Sequence, residues 1–519
     1  MKKAIFSIVF VFTTNAIFSQ DSLPANEAIR KTTFSESNSI FKVTPTKINS
    51  DLSEIGSAIF MNKYIMYSSR KTGAIGAGKD PETNNPYNTL YCISMNKETG
   101  DLSKPYFFAS VLDSEGNEGG LSFTPDNMVV YYTKSAVDNS KNYQLYKSVF
   151  DEECRCKWIK EEAVEFSSPN YSIENPAVSP DGKKIYFSSN MPGGFGGYDL
   201  YVADINSKGI PVNPKNLGSR INTSKDEKFP SVSAKNEELY FSSNGHLGYG
   251  GQDVFVSRIK KNNYSIPLNL GKTINTPTDE VAFILATEKQ GYVTSNRESS
   301  VGSYDIFKVV FEKKPSSIKG VAVEEESKIV LPNTQVDLIN EDGEVVSTQM
   351  TNDKGEYTFD VQPVENYTIA AVKDGYSDYK LPFISPVGES TSNIELAQKK
   401  ATIIKNRIAV ENIYFDFDKA NIKSESTLSL NKILEVLNEN SNMKIRINSH
   451  TDSRGSDRYN LALSEKRAKE TKQYLINKGI NKKRIEAKGL GETKPLSNCG
   501  SNCTNEQFTA DRRSEFIIK

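Results

Sequence analysis

Residues 445–469 carry the chemistry of this chain that is easiest to read. Lys444-Ile-Arg-Ile-Asn-Ser449 alternates as a β-strand, and His450-Thr-Asp452 follows directly at its end. Arg467 falls inside the next helical stretch. A carboxylate and a guanidinium fixed on neighbouring elements can hold a zwitterion between them, since each charge of the ligand meets its counter-charge. Taken singly, each residue has a plainer reading. Asp452 would be a loop or capping carboxylate, and Arg467 part of a solvated helix face. His450 reads as structural, orienting the loop or filling a pocket.

Strands and helices alternate around this pair over residues 408–519. Asn412–Phe417 reads as a strand. Ser424 is placed to cap a helix through about Asn438, with Leu428, Leu430, Ile433, Leu434 and Leu437 mostly on one face. Ser456 or Asp457 opens a second helix that runs to Lys478 and stops at Gly479. Arg484–Lys488 and Ser514–Ile518 are further strands. The fold expected is a βαβ-type α/β sandwich.

Across this stretch the ordered pieces Tyr414-Phe-Asp-Phe-Asp418, His450-Thr-Asp452 with Gly455, Asn460-x-x-Leu-Ser464, Arg467-Ala468, Gly489-x-Gly-Glu492 and Asp511-Arg-Arg513 resemble the OmpA C-terminal family. That resemblance implies binding of peptidoglycan through the diaminopimelate of its stem peptide. By position, Asp452 would accept the ligand's ammonium and Arg467 would hold its carboxylate. Thr451 and Asn460 would add hydrogen bonds at the rim, with Asp416, Asn421 and Arg513 as further neighbours. Cys499–Cys503 departs from the simplest family pattern.

The rest of the chain is organised differently. Between about 50 and 312 it repeats itself. Asn175-Pro-Ala-Val-Ser-Pro-Asp-Gly-Lys-Lys-Ile-Tyr-Phe-Ser-Ser-Asn190 matches Phe229-Pro-Ser-Val-Ser-Ala-Lys-Asn-Glu-Glu-Leu-Tyr-Phe-Ser-Ser-Asn244, and each precedes a Gly-rich turn and another strand. The matching positions Tyr67, Tyr132, Phe187, Phe241 and Val293 lie 65, 55, 54 and 52 residues apart. Each unit suits four short strands and cannot bury both faces alone, so the copies must pack side by side. Ser179-Pro-Asp-Gly-Lys183 resembles the turn of the TolB-type propeller repeat. A propeller of five blades is expected, with a sixth if residues 21–50 and the end near 311 close one. Residues 316–397 read as a small β-sandwich. Their order Gly-x-Val, Thr-x-Val-x-Leu, Thr-x-x-x-Gly-x-Tyr-x-Phe and Tyr-x-Ile resembles the carboxypeptidase regulatory-like domain. Residues 21–49 are a linker or lead-in strand, and 398–407 are a linker.

Composition bounds the function. The 519 residues carry 64 basic and 65 acidic side chains, which argues against a nucleic-acid binder. The charge is uneven, with 22 basic and 15 acidic residues in 401–519, a net of +7 that suits an anionic polymer. Lys2 and Lys3, the apolar Ala4–Phe12 and the small residues to Ser19 read as a signal peptide over 1–20. Five cysteines would then face an oxidising space. Cys499 and Cys503 are spaced to pair, a bridge between Cys154 and Cys156 would be strained, and Cys92 is left over. With only His246 and His450, no zinc site is expected. No cofactor is called for.

The order propeller, sandwich, OmpA-like module resembles PorE and other type IX secretion-associated OmpA-family proteins. The expectation is a non-enzymatic periplasmic adaptor, associated with the outer membrane. It would bind peptidoglycan at its C-terminal end and an outer-membrane or type IX secretion protein through the propeller. Two other classes are weighed beside it. A propeller-gated hydrolase needs a Gly-x-Ser-x-Gly elbow, which is not found. A carbohydrate sensor using the propeller face is compatible with the sequence.

Overall fold

The computed structural model describes residues 35–519 apart from 71–78, 81–83, 109–115, 137–138, 152–156, 262, 400, 411–412, 414, 416–418, 424–425, 497–498 and 500–501. The expected signal peptide, Cys154, Cys156 and Asp416 lie outside the described residues. The chain divides into two compact units, the first built chiefly on the segment up to Ser317 and the second on the rest. No helix among the described residues is long and apolar enough to cross a membrane.

The repeats of the first unit become four-stranded antiparallel sheets, because each copy alternates apolar and polar residues between Gly- and Asn-rich turns. Their first strands are Glu54–Phe60, Glu118–Phe123, Ile173–Val178, Glu227–Val232 and Glu280–Leu285. Each touches the next in that order, and Glu280–Leu285 touches Glu54–Phe60. The last sheet draws its fourth strand from the N-terminal side, where Ser39–Pro45 pairs with Asp305–Lys313. The lead-in segment therefore completes a fifth sheet, and a sixth is absent among the described residues.

Buried rings fill the gaps between sheets. Phe187 and Tyr201 stack at 5.8 Å, and Tyr240 lies 5.1 Å from Phe283 of the following sheet. The polar positions of the repeat act as latches. Glu227 accepts bonds from the Thr223 amide and hydroxyl and from Ser243, and Glu280 does the same with Thr276 and Ser295. The glycines of the turns are equally structural. A Cβ on Gly250 would stand 2.3 Å from the Thr276 carbonyl, and one on Gly302 would stand 1.8 Å from that of Leu52. Only glycine lets the turn of one sheet lie this close to the backbone of its neighbour.

Residues 316–397, most of them in the second unit, form two small sheets. One runs in the order Val345–Met350, Gln335–Asn340, Asn366–Val372, Tyr379–Ile384. Beyond them a five-stranded sheet takes the order Thr402–Ile404, Arg407–Ala409, Ser514–Ile518, Ile445–Ser449, Ile485–Gly489. The last two pair in parallel through helix α2, Asp457–Asn477, as a βαβ unit requires. Helix α1, Ser426–Glu439, buries Leu430, Ile433, Leu434 and Leu437 against Ile445, Ile447, Ile485 and Phe516. Truncating one of these leucines to alanine would cost about 2–5 kcal/mol. Leu428, expected on that face, is exposed, and Val436 is buried instead. The expected strand at 412–417 is represented among described residues by one bridge, Phe415 to Ile422. The N-terminal strands of this sheet are the short hairpin 402–409.

Candidate functional site

The loops at the carboxyl ends of the two parallel strands meet at one place. Ile445–Ser449 delivers His450, Thr451 and Asp452. Ile485–Gly489 delivers Gly491 and Glu492, and the antiparallel Ser514–Ile518 brings Arg512 and Arg513 beside them. Backbone bonds pin the corner: the His450 N–H donates to Arg513 O at 2.8 Å and the Thr451 N–H to Gly491 O at 3.0 Å. Helix α2 begins here because Ser456 caps it, accepting from the Tyr459 N–H, and Gly479, at φ 101°, closes its far end.

Asp452 is nearly enclosed, with 7% of its side chain exposed. One carboxylate oxygen accepts from the Arg454 amide at 3.1 Å. The other accepts from the guanidinium of Arg454 at 2.8 Å and from that of Arg512 at 2.7 Å. Burial alone would raise this carboxyl, but the bonds from Arg454 and Arg512 outweigh it and hold the group below the usual carboxylate range. Arg454 is 44% exposed at its side chain and lies over the Phe508 ring at 4.4 Å. Arg512 also donates to Thr509 at 2.8 Å. Asn460 donates to the Asp452 carbonyl at 3.2 Å and to the Glu492 carboxylate.

Arg467 lies seven residues after Asn460 on the buried face of α2, beside Ser464, Ala468, Thr471 and Leu475. It is 2% exposed, which removes the solvated-face reading. Its Nε donates to Lys419 O at 3.0 Å, and its guanidinium lies 5.0 Å from the centre of the Phe415 ring. Arg467 thus ties Phe415 and Lys419 to α2. Asn421, two residues after Lys419, is exposed. Arg513 turns away from Asp452: its guanidinium binds Glu515 at 2.9 and 3.1 Å and the Lys494 carbonyl at 3.2 Å. His450 is 1% exposed; among the described residues its ring and the Thr451 hydroxyl have no hydrogen-bond partner, and its Nε2 lies 3.8 Å from the Glu515 carboxylate. Burial, then the nearby Arg513 charge, holds its imidazole down at about 4, against the pull of Glu515.

A two-residue clasp of Asp452 and Arg467 is therefore too simple. Asp452 carries its own guanidinium partners, Arg454 and Arg512, which the residue-by-residue reading passed over. Both left a signal. Arg454 stands two residues beyond Asp452 in a tight Asp-Ser-Arg turn, and Arg512 is the first arginine of Asp511-Arg-Arg513. Which of the two arginines faces Asp452 depends on the strand pairing, which the motif alone does not specify. Chemically, the cluster offers a carboxylate that can accept from an ammonium and partly exposed guanidinium N–H groups that can donate to a carboxylate. Near the last helix, α3, Asn505–Asp511, Cys499 and Cys503 are bonded, with Cα atoms 5.0 Å apart. Cys92 is free and half-buried.

The segment that carries these residues is similar to known proteins. Residues 414–508 match the OmpA family. Residues 317–397 match the carboxypeptidase regulatory-like domain. A peptidoglycan-associated lipoprotein of Buchnera aphidicola subsp. Baizongia pistaciae is 38% identical over 107 residues, 21% of this chain and 60% of that one. Outer membrane protein A of Shigella flexneri is 32% identical over 142 residues, 25% of this chain and 40% of that one. Among solved structures, the peptidoglycan-associated lipoprotein from Burkholderia pseudomallei is 29% identical over 21% of this chain and 89% of its own, with a TM-score of 0.20. The chain thus spans three fifths and two fifths of these two curated relatives. Neither family match reaches residues 35–316.

Proposed function

We propose that residues 408–519 bind peptidoglycan through the diaminopimelate centre of its stem peptide, and that the protein is a non-enzymatic periplasmic adaptor associated with the outer membrane. The observation that carries this reading is the Asp452 carboxylate, set between Arg454 and Arg512 at the strand ends of a segment matching the OmpA family. A zwitterion engages such a cluster at both of its charges: its ammonium meets Asp452, and its carboxylate meets guanidinium N–H groups. Arg467, Thr451 and Asn460 would shape the pocket, Arg467 by holding Phe415 and Lys419. Asn421 and Arg513 would be its outer neighbours. The net positive charge of the module favours approach to the anionic wall. The curated relative whose name says peptidoglycan-associated supports the same ligand.

We further propose that the five sheets of residues 39–313 are blades of a propeller, since their first strands touch in a cyclic order and the N-terminal strand completes the last sheet. The propeller and the 316–397 sandwich would hold an outer-membrane or type IX secretion protein, so that the wall-bound module tethers it. Co-sedimentation of the full chain with purified peptidoglycan tests the wall-binding half. The wild type should pellet, and Asp452→Asn and Arg512→Gln should lose most of the binding. Equal pelleting of all three would reject the site.

A further inference from the structure

Every sheet exposes two edges, and an edge left open is a template for another strand. The outer edges of the first unit are blunted in the ordinary ways. Pro211–Asn216 contains two prolines, Lys157–Ala163 carries Lys160, Glu161 and Glu162, and Ser39–Pro45 carries Lys42 and Pro45. Leu268–Asn269 is covered, because the Ser37 N–H donates to Asn269 O at 2.8 Å and the Asn269 N–H to Ser35 O at 3.0 Å. Tyr106–Phe107 is only two residues long.

Val345–Met350 is different. It is the edge of its sheet, paired on one side to Gln335–Asn340. It holds no proline and no charge, and Val345, Val346 and Met350 are 56%, 51% and 57% exposed. The Thr351 N–H donates to Thr334 O at 2.9 Å, and Thr351 O accepts from Asn333 at 2.9 Å, so Thr351 faces inward. By antiparallel alternation, Gln349 and Ser347 also face inward, while the N–H and C=O of Thr348 and Met350 face out. Val346 is the extra residue of a bulge, which ends the regular edge at Ser347. The neighbouring edge of the other sheet, Glu356–Val361, is plugged. The Gln349 side chain donates to Thr358 O at 2.5 Å and accepts from the Thr358 N–H at 3.0 Å. One edge is closed by a side chain, and the one beside it is left bare and apolar.

We propose that Val345–Met350 is the docking edge for an extended strand of a protein partner, one with apolar residues at alternate positions and lysine or arginine at its ends. Charge selects that occupant. Glu341, Asp342 and Glu344 stand exposed before the strand, and Asp353 and Glu356 stand exposed after it, against one Lys354. A second copy of this chain pairing edge to edge would set acid against acid in either direction, which disfavours self-assembly. The strand adds through backbone hydrogen bonds, and the acidic ends set its register. This goes beyond the adaptor reading by naming the surface on the sandwich and the chemistry of what it takes. It rests on that reading only for the existence of a partner.

The test is selection of random peptides displayed against the immobilised full chain, followed by binding of the enriched peptides in solution. Enriched sequences should alternate apolar residues and carry basic flanks. Thr348→Pro removes one outward N–H and leaves the inward ladder intact, so it should weaken them at least about tenfold. Met350→Lys alters only an exposed side chain and should weaken basic-flanked peptides to a similar extent, which covers the case in which the proline variant misfolds. Failure to enrich any peptide sensitive to either variant would overturn the proposal, as would enrichment of acidic flanks. Concentration-dependent dimerisation abolished by Met350→Lys would make a second copy the occupant and overturn it equally. Peptidoglycan co-sedimentation of both variants should match the wild type, so loss of the docking edge is told apart from loss of wall binding.

Discussion

Acidification should loosen the loop that presents Asp452, because His450 is buried beside it in the neutral form. The ring is 1% exposed, and burial, aided by Arg513, holds its pKa down at about 4. In the unfolded chain an imidazole titrates near ~6.5. A folded value below the unfolded one gives stability that is fully present above about 6.5 and is lost as pH falls through about 4. The gap between the two values, at ~1.36 kcal/mol per pH unit, is worth about 3 kcal/mol, with the opposing pull of Glu515 already contained in the folded value. The chain has two histidines, so ring-proton NMR gives two signals, and His450→Gln assigns them. The His450 signal should hold the neutral shift from pH 8 down to about 5.5, while amide exchange in Ile445–Ser449 accelerates below about pH 5. A signal that titrates near ~6.5, with exchange unchanged between pH 7 and 4.5, would refute this account of the loop.

Other consequences are quicker to check. Asp452→Asn removes a carboxylate held low by Arg454 and Arg512, whose stabilising share is present above about 4 and lost as pH falls further. The variant should therefore lose roughly 0.5–1 kcal/mol at pH 7, a figure discounted for the exposure of both arginines, and progressively less as pH falls below about 4, by urea unfolding followed at the C-terminal unit. Gly302→Ala places a Cβ on the Leu52 carbonyl and should cost about 2–4 kcal/mol, read as a lower melting temperature of the first unit. Reducing the Cys499–Cys503 bond, which spans a sequence separation of 4, should cost about 2 kcal/mol by loop entropy, visible as reductant-sensitive unfolding.

Much of this architecture was legible because local chemistry specified it. The Ser-Pro-Asp-Gly turn at 179–182 and the aromatic pairs at 186–187 and 240–241 announce strands and turns on their own. Ser456 and Gly479 bracket α2 because a cap and a left-handed stop are local devices. The site was harder. Arg512 reaches Asp452 only once the last strand lies antiparallel to Ile445–Ser449, a pairing between segments 65 residues apart at Ser449 and Ser514. The burial of Arg467 was invisible for the same reason, since the loop it holds at Lys419 comes from 48 residues earlier. Leu428 shows the limit of periodicity: its place in the apolar stripe says nothing of where the sheet ends beneath it.

The most direct measurement is calorimetric titration of a diaminopimelate-containing stem peptide into the full chain, beside the same peptide with lysine in place of diaminopimelate. Saturable binding of the first is predicted. Weakening of at least about tenfold is predicted for the lysine peptide, which lacks the second carboxylate, and for Asp452→Asn. Equal affinity of the wild type for both peptides, or an unchanged affinity in Asp452→Asn, would contradict the claim that this charged cluster recognises the zwitterion.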